Sequence, residues 1–266
     1  MLKNSLKRMS LGQWTGASIL ILLLLSAWMV PLFGHSQPNL QHLQHSFAPA
    51  SAQLPLGSDQ FGRDMLARLA AAVRLSFGLS LLCVGSSAFI GVSLGVMAAW
   101  SSKRIDTVIN FIANTVMSLP GLVLVLLVAG LAPGSFAMLY LGISLTLWVE
   151  YFRVVRATVQ PLVNGPELQS SMMLGFGRWY QFRRHIWPSI SGNVLTLAAF
   201  GAATSILMMA STGFVYAGLK PPTSELGLMI VELFPYFAEA TWVLLQPLCI
   251  LLLMVLGFNL LAGQKA

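Results

Sequence analysis

Charge and cysteine are both scarce in this sequence, and each scarcity excludes a class of protein. Only 9% of the 266 residues are Asp, Glu, Lys or Arg, whereas 56% are hydrophobic and the mean hydropathy is +0.78. A soluble core of that length cannot hide so much apolar side chain, so the composition points to lipid. The two cysteines, Cys83 and Cys249, each sit inside an apolar run. That leaves neither a disulfide framework nor a zinc site with paired ligand spacing. The chain also lacks a Gly-x-x-x-x-Gly-Lys-Ser/Thr phosphate loop, a nucleophile elbow, an HExxH pair and carboxylates clustered on one helix. Nothing in it argues for catalysis or for a cofactor of its own. A net charge of +7 and a pI near 9.9 invite a nucleic-acid reading. The basic residues, however, lie between apolar runs and form no basic face interleaved with aromatics, so they serve as topology signals instead.

What the sequence has in abundance is apolar runs of spanning length, about 20 residues each. Six are expected, over about 14–33, 75–100, 108–131, 136–155, 190–219 and 241–261. The first continues to Phe33 without a clear small-x-small cleavage site, which favours an uncleaved helix over a signal peptide. A polar segment over about 34–55 is too hydrophilic to span, and Ala132, Pro133, Gly134 and Ser135 form a breaker cluster for a tight reversal. No soluble domain, low-complexity tail or internal repeat interrupts the pattern. The expected fold is an all-α integral membrane protein, a single transmembrane domain over 1–266.

Orientation follows from the basic residues that flank the spans. A cytoplasmic amino terminus leaves Lys3, Lys7, Arg8, Lys103, Arg104, Arg153, Arg156, Arg178, Arg183, Arg184 and Lys265 inside, and only Arg63, Arg68, Arg74 and Lys220 outside. Both termini are then cytoplasmic.

Between the fourth and fifth spans lies a polar insertion with its own apolar stripe. Leu168, Met172, Phe176 and Trp179 recur at spacings of four and three, which predicts one face of a helix over about 166–179. Pro166 suits a first helical position, and Gly175 and Gly177 permit close approach or a bend. Periodicity alone fits two roles equally: a helix pressed into a groove on a partner, or one lying on the lipid surface with Arg178, Arg183 and Arg184 at the headgroups.

The stretch Leu168-Gln-Ser-Ser-Met-Met-Leu-Gly175, continuing to Arg184-His-Ile-Trp-Pro188, resembles the coupling-helix signature of ABC importer permeases. Gly175 and Pro188 match that signature, while Gln169, Ser170 and Ser171 stand where the family has Glu-Ala-Ala. Gln169 can hydrogen-bond but cannot carry the family glutamate's charge. A second segment, Gly57-Ser-Asp-Gln-Phe-Gly-Arg-Asp-Met-Leu-Ala-Arg68, is similar to the Gly-Thr-Asp-x-x-Gly-Arg-Asp-x-x-Ser-Arg motif of the dipeptide, oligopeptide and nickel importer permeases. Read as chemistry, Asp59, Arg63, Asp64 and Arg68 can form local ion pairs at a helix head, with Gly57 and Gly62 permitting a tight turn.

The resemblance implies a bacterial inner-membrane subunit that forms half of a heterodimeric pore with a second homologous permease. Two cytoplasmic ATP-binding subunits would bind and hydrolyse the ATP, and an extracytoplasmic binding protein would deliver substrate. The residues implied in coupling are Glu167, Leu168, Gln169, Ser170, Ser171, Met172, Gly175, Phe176 and Trp179. Peptides and nickel or other metal chelates both remain open as cargo. His42 and His45 have a spacing that two metal ligands could share, but with no acidic or thiol neighbour they make a weak site. Glu150 and Arg153, three apart on the fourth span, are expected to pair with each other, with Arg156 near the same water boundary. Met208 and Met209 read as packing. The competing classes are an ion-driven secondary transporter and a membrane-embedded enzyme. The first calls for acids at mid-membrane and inverted repeats, the second for polar groups gathered at one depth.

Overall fold

The computed structural model describes residues 10–35 and 37–263, so Lys3, Lys7, Arg8 and Lys265 of the orientation argument lie outside the described residues. Among the described residues the chain is helical, with no strand beyond one isolated bridge between Ser58 and Asp64. Five helices are long and apolar enough to cross a membrane, and a sixth span forms if one bent pair is counted as a unit.

Helix α1 (Leu11–Met29) starts at Ser10, whose hydroxyl accepts the Gln13 N–H while the Gln13 side chain accepts the Ser10 N–H. This reciprocal cap satisfies two of the free donors at the helix start. The Gln13 amide nitrogen also donates to the Leu261 and Gly263 carbonyls, tying α1 to the far end of the chain.

Helix α2 (Met65–Trp100) has 36 residues, about 54 Å at 1.5 Å per residue, well beyond a hydrocarbon core of about 30 Å. It begins ten residues before the expected boundary at Leu75. Hydropathy misplaced the start because Arg68 and Arg74 lower it, yet both side chains have partners. Arg74 donates to the Ala27 carbonyl at the end of α1, 2.7 Å away.

The expected third span over 108–131 is not one straight helix. It divides into α3 (Lys103–Val116) and α4 (Gly121–Leu131), inclined at 79° across residues 117–120. Pro120 is the reason: it brings no N–H for the Val116 carbonyl, and its ring disfavours helical backbone at Leu119. Helix α5 (Phe136–Val163) then runs eight residues past its expected end at Val155. Close packing along α2 fixes it in place, since a Cβ on Gly91 would lie 2.5 Å from the Trp148 carbonyl and one on Gly95 would lie 2.9 Å from Val155.

A short reversal follows: α6 (Pro166–Met173), α7 (Arg178–Gln181), and a wider π turn at Phe182–Ile186 that leads into α8 (Trp187–Phe214). Helix α9 (Leu226–Leu233) is too short to span, and α10 (Thr241–Ala262) closes the fold. The largest core joins α1, α2, α8, α9 and α10 through residues such as Phe77, Ile206, Met229, Val243 and Phe258. A second core places Val125 of α4 among Leu79, Ile143 and Met209.

Candidate functional site

On the side expected to face outward, the polar chain over 37–64 folds back on itself and holds a buried charge cluster. Asp59 accepts the backbone N–H groups of Phe61 and Arg63 on one carboxylate oxygen, each at 2.9 Å. Its other oxygen receives Arg63 Nε at 2.5 Å and lies 3.5 Å from Arg68 Nε. Glu232 of α9 then takes one nitrogen from each arginine, Arg63 Nη2 at 3.1 Å and Arg68 Nη2 at 3.0 Å. Arg63 and Arg68 are only 2% and 1% exposed. Two cations and two anions therefore sit out of water as a neutral quartet, an arrangement tolerable only because each charge has a close partner. Arg68 is the less well satisfied of the two cations, because its Nε and Nη1 have no hydrogen-bond partner among the described residues.

Local backbone shape makes this possible. Gly57 and Gly62 have φ of +74° and +68°, and a Cβ on Gly62 would fall 1.8 Å from the His42 carbonyl oxygen. No other residue type fits that turn. Asp64, expected to pair with an arginine, instead caps α2 by accepting the Leu66 N–H and pairs with His35. Glu232 is a member of the cluster that the sequence motif over 57–68 does not contain. It lies 164 residues from Arg68, with only its acidity in an otherwise apolar helix to mark it.

Helix α9 is held at its other end by Glu225. This buried carboxylate accepts the Gly227 and Leu228 N–H groups at 2.9 and 2.7 Å and closely faces Gly213 of α8. Burial pushes its pKa up to about 7, against the opposing pull of the two backbone donors. A carboxyl raised in the folded state stabilises most below its unfolded value and loses that contribution as pH climbs toward 7. Stability should therefore fall between about pH 4.5 and 7, by on the order of 3 kcal/mol for this group. Thermal unfolding in detergent at pH 5 and pH 8 checks this. Glu225→Gln should flatten the slope, and an unchanged slope in that variant would assign it to other groups.

His42 and His45 line an open cavity of about 770 Å³ with His35, Gly62 and Asp64. Their ring centroids are 6.2 Å apart. Among the described residues no three His, Cys, Asp or Glu side chains come together in a way that could hold a metal.

On the side expected to be cytoplasmic, the single helix over 166–179 is in fact two. Gly175 adopts φ +79° with open space around it, and the chain turns there before α7 begins. The proposed stripe is broken accordingly. Leu168 is 1% exposed and anchors α6, whereas Met172, Phe176 and Trp179 stand outward. With Met173 at 88% and Leu174 at 75% exposure they form an apolar cap on the reversal. Phe176 stacks on Tyr180 at 4.4 Å between ring centroids, and Trp179 on Phe182 at 5.7 Å. Beneath the cap, the Gln181 amide donates to the Phe176 carbonyl at 2.7 Å, and the Phe176 N–H donates to the Ser171 carbonyl at 3.2 Å. Gln169 is exposed and reaches only the Asn164 carbonyl, at 3.3 Å, while the Glu167 carboxylate lies 4.0 Å from His185. Arg178, Arg183 and Arg184 surround the cap and are exposed. The reversal thus offers an apolar, positively rimmed knob.

The expected pairing of Glu150 with Arg153 does not form. Arg153 Nη2 donates to Asn114 Oδ1 of α3 at 3.1 Å, and Arg156 Nη2 donates to Asp106 Oδ2 at 2.6 Å. Helix α3 lies alongside α5 and offers both arginines better partners than the neighbouring turn of their own helix.

The described residues thus form a multi-pass helical bundle with a knob between two of its spans. Residues 91–264 match the family described as "Binding-protein-dependent transport system inner membrane component", and the chain belongs to it. It is 30% identical over 257 residues to the di/tripeptide transport system permease protein DppC of Pseudomonas aeruginosa, covering 94% of this chain and 84% of that relative. The dipeptide transport system permease protein DppC of Haemophilus influenzae is 31% identical over 206 residues, covering 77% of this chain and 70% of the relative. The oligopeptide transport system permease protein OppC of Bacillus subtilis is 25% identical, with 92% and 80% covered. The chain is therefore a multi-pass inner-membrane transport subunit of the ABC importer type, and not an enzyme.

Proposed function

We propose that this subunit carries di- and oligopeptides inward as one half of a two-permease pore, driven by two cytoplasmic ATPase subunits, one of which docks on the knob over 166–181. The apolar cap carries this reading: Met173, Leu174, Phe176 and Trp179 are exposed together on an otherwise polar turn. Exposed apolar clusters rimmed by charge are the usual mark of a protein contact. A groove on an ATPase would cover them more completely than a headgroup layer, because the turn at Gly175 makes the cap compact and leaves no long amphipathic face to lie flat.

Peptide cargo is supported by the printed names of the relatives, which concern peptides throughout. Among the described residues no cluster of His, Cys, Asp or Glu favours a metal chelate over a peptide. A binding protein delivers the substrate from outside, where the buried quartet and α9 stiffen the receiving surface. The distribution of basic residues supports cytoplasmic termini. Closure of the ATPases on ATP then moves the knob, and α5 and α8, which lead directly into it, transmit the displacement to the spans.

Co-purification tests this. The tagged chain in mild detergent should bring down a second permease and an ATPase, and the complex in proteoliposomes should import dipeptides when ATP and a binding protein are supplied. A lone chain that catalyses flux driven by an ion gradient would overturn the proposal.

A further inference from the structure

In the cytoplasmic half of α5, Glu150, Arg153, Ala157 and Gln160 recur at intervals of three, four and three, and all are exposed. They form one face of the helix. Many exposed positions elsewhere on the spans are large and apolar, such as Leu81, Phe89 and Ile90 on α2 and Leu141 and Leu145 on α5, and none of them is an acid. Glu150 lies fourteen residues into a helix that begins at Phe136, about 21 Å from its outer end and so within a hydrocarbon layer of about 30 Å. Among the described residues its carboxylate has no hydrogen-bond or ion-pair partner, since Arg153 turns to Asn114 and Arg156 to Asp106. A free carboxylate at that depth does not face lipid.

The broken span supplies a second, independent observation at the same level. A Cβ on Gly121, the first residue of α4, would lie 3.7 Å from Thr146, one helical turn above Glu150. Ser118, Leu119 and Pro120 in the break are exposed. Irregular backbone at membrane depth persists only where protein buries it or water lines it. Asn114, which holds Arg153, is in the last turn of α3, so the break and the Glu150 face adjoin. The carboxyl-terminal end of α3 points its partial negative charge into this place, and the Val116 carbonyl has lost its helical donor to Pro120.

Carboxylate, helix end and freed carbonyl all accept hydrogen bonds and favour a cation. We infer that this corner lies on the water-filled translocation path and receives the α-ammonium group of a peptide in transit, an assignment that rests on the peptide-importer reading above. Glu150 supplies the charge, and the backbone at 116–120 supplies further acceptors. The ammonium is the one cation common to every unblocked peptide, so a carboxylate here can assist peptides of varied sequence.

Two measurements on the assembled, reconstituted transporter test this, with Cys249→Ser as background. The thiol of a Glu150→Cys variant should react readily with a membrane-impermeant methanethiosulfonate, whereas that of Phe89→Cys should not. Glu150→Gln, nearly isosteric, should still co-purify with its partners but import free dipeptides about tenfold more slowly, the loss expected for one charge-assisted hydrogen bond. An unreactive Glu150→Cys thiol would place this face against the second permease, and full-rate import by Glu150→Gln would remove the ammonium role. Either result overturns the inference while leaving peptide import intact. If the wild-type complex imports no peptide, the peptide reading falls and takes the ammonium assignment with it, and the thiol labelling still reports separately whether water reaches Glu150.

Discussion

Glu232→Ala is expected to destabilise the protein by about 3–5 kcal/mol, the largest stability effect anticipated for any surface-proximal residue of the chain. The reason is the charge it leaves behind. Arg63 and Arg68 each give one nitrogen to Glu232, at 3.1 and 3.0 Å, and both are almost fully buried. With Glu232 gone, Asp59 alone faces two guanidinium groups, and one positive charge is stranded out of water. The cost is that of an uncompensated buried ion, which exceeds the net worth of the lost pair. Removing a cation together with the anion should therefore recover most of the loss. In Arg68→Leu/Glu232→Leu the Asp59 and Arg63 pair remains neutral and intact, with its 2.5 Å contact and the two backbone donors to Asp59. Thermal unfolding of the purified wild type, Arg68→Leu, Glu232→Leu and the double variant gives the cycle. If the double variant is as unstable as the sum of the singles, the quartet acts through packing and the electrostatic account fails. The consequence reaches beyond stability, because α9 is tied at one end by Glu232 and at the other by Glu225. Freeing the Glu232 end should loosen α9 and, in the proposed importer, the surface offered to a binding protein.

Much of this architecture was legible in the sequence because burial in lipid imposes a length on every apolar run. The first and sixth spans lie within a few residues of where hydropathy puts them, the fourth starts as expected but runs eight residues further, and the fifth ends at Phe214, short of Leu219. The departures have separate physical causes. Helix α2 begins ten residues early because a helix tolerates Arg68 and Arg74 once Glu232 and the Ala27 carbonyl receive them, and no hydropathy window sees a partner that distant in sequence. The break at 117–120 did have a local signal, Pro120 followed by Gly121, but apolar residues on both sides hid it from a reading based on hydropathy. Asp59, Arg63 and Arg68 were expected to associate and do, whereas Asp64 was diverted to helix capping, a role its position just before Met65 allowed. Glu150 and Arg153 had the spacing of a pair. What spacing could not show is that α3 would present Asn114 to the arginine and leave the carboxylate free.

Gly175→Trp is expected to abolish ATP-driven uptake while leaving the protein inserted in the membrane. Two independent effects act at this position. Gly175 sits at φ +79°, a conformation that side chains other than glycine adopt only at a cost of about 1–2 kcal/mol, so a substitution pushes the turn between α6 and α7 toward another shape. Nothing lies within 4 Å of the notional Cβ, so an indole is not rejected by the permease and stands in the space where the docking partner would approach. The fold itself should survive, because the spans pack without this turn, and Leu168, which anchors α6, lies seven residues from Gly175. Gly175→Ala separates the two effects. It imposes nearly the same backbone cost with almost no added bulk, so substantial uptake by the alanine variant together with none by the tryptophan variant assigns the loss to obstruction of a contact. The decisive readout is co-purification: Gly175→Trp should recover the second permease at wild-type yield and lose the ATPase. A tryptophan variant that retains both the ATPase and normal uptake would mean that the cap over 172–180 rests on lipid, and that the coupling contact lies elsewhere on the cytoplasmic face.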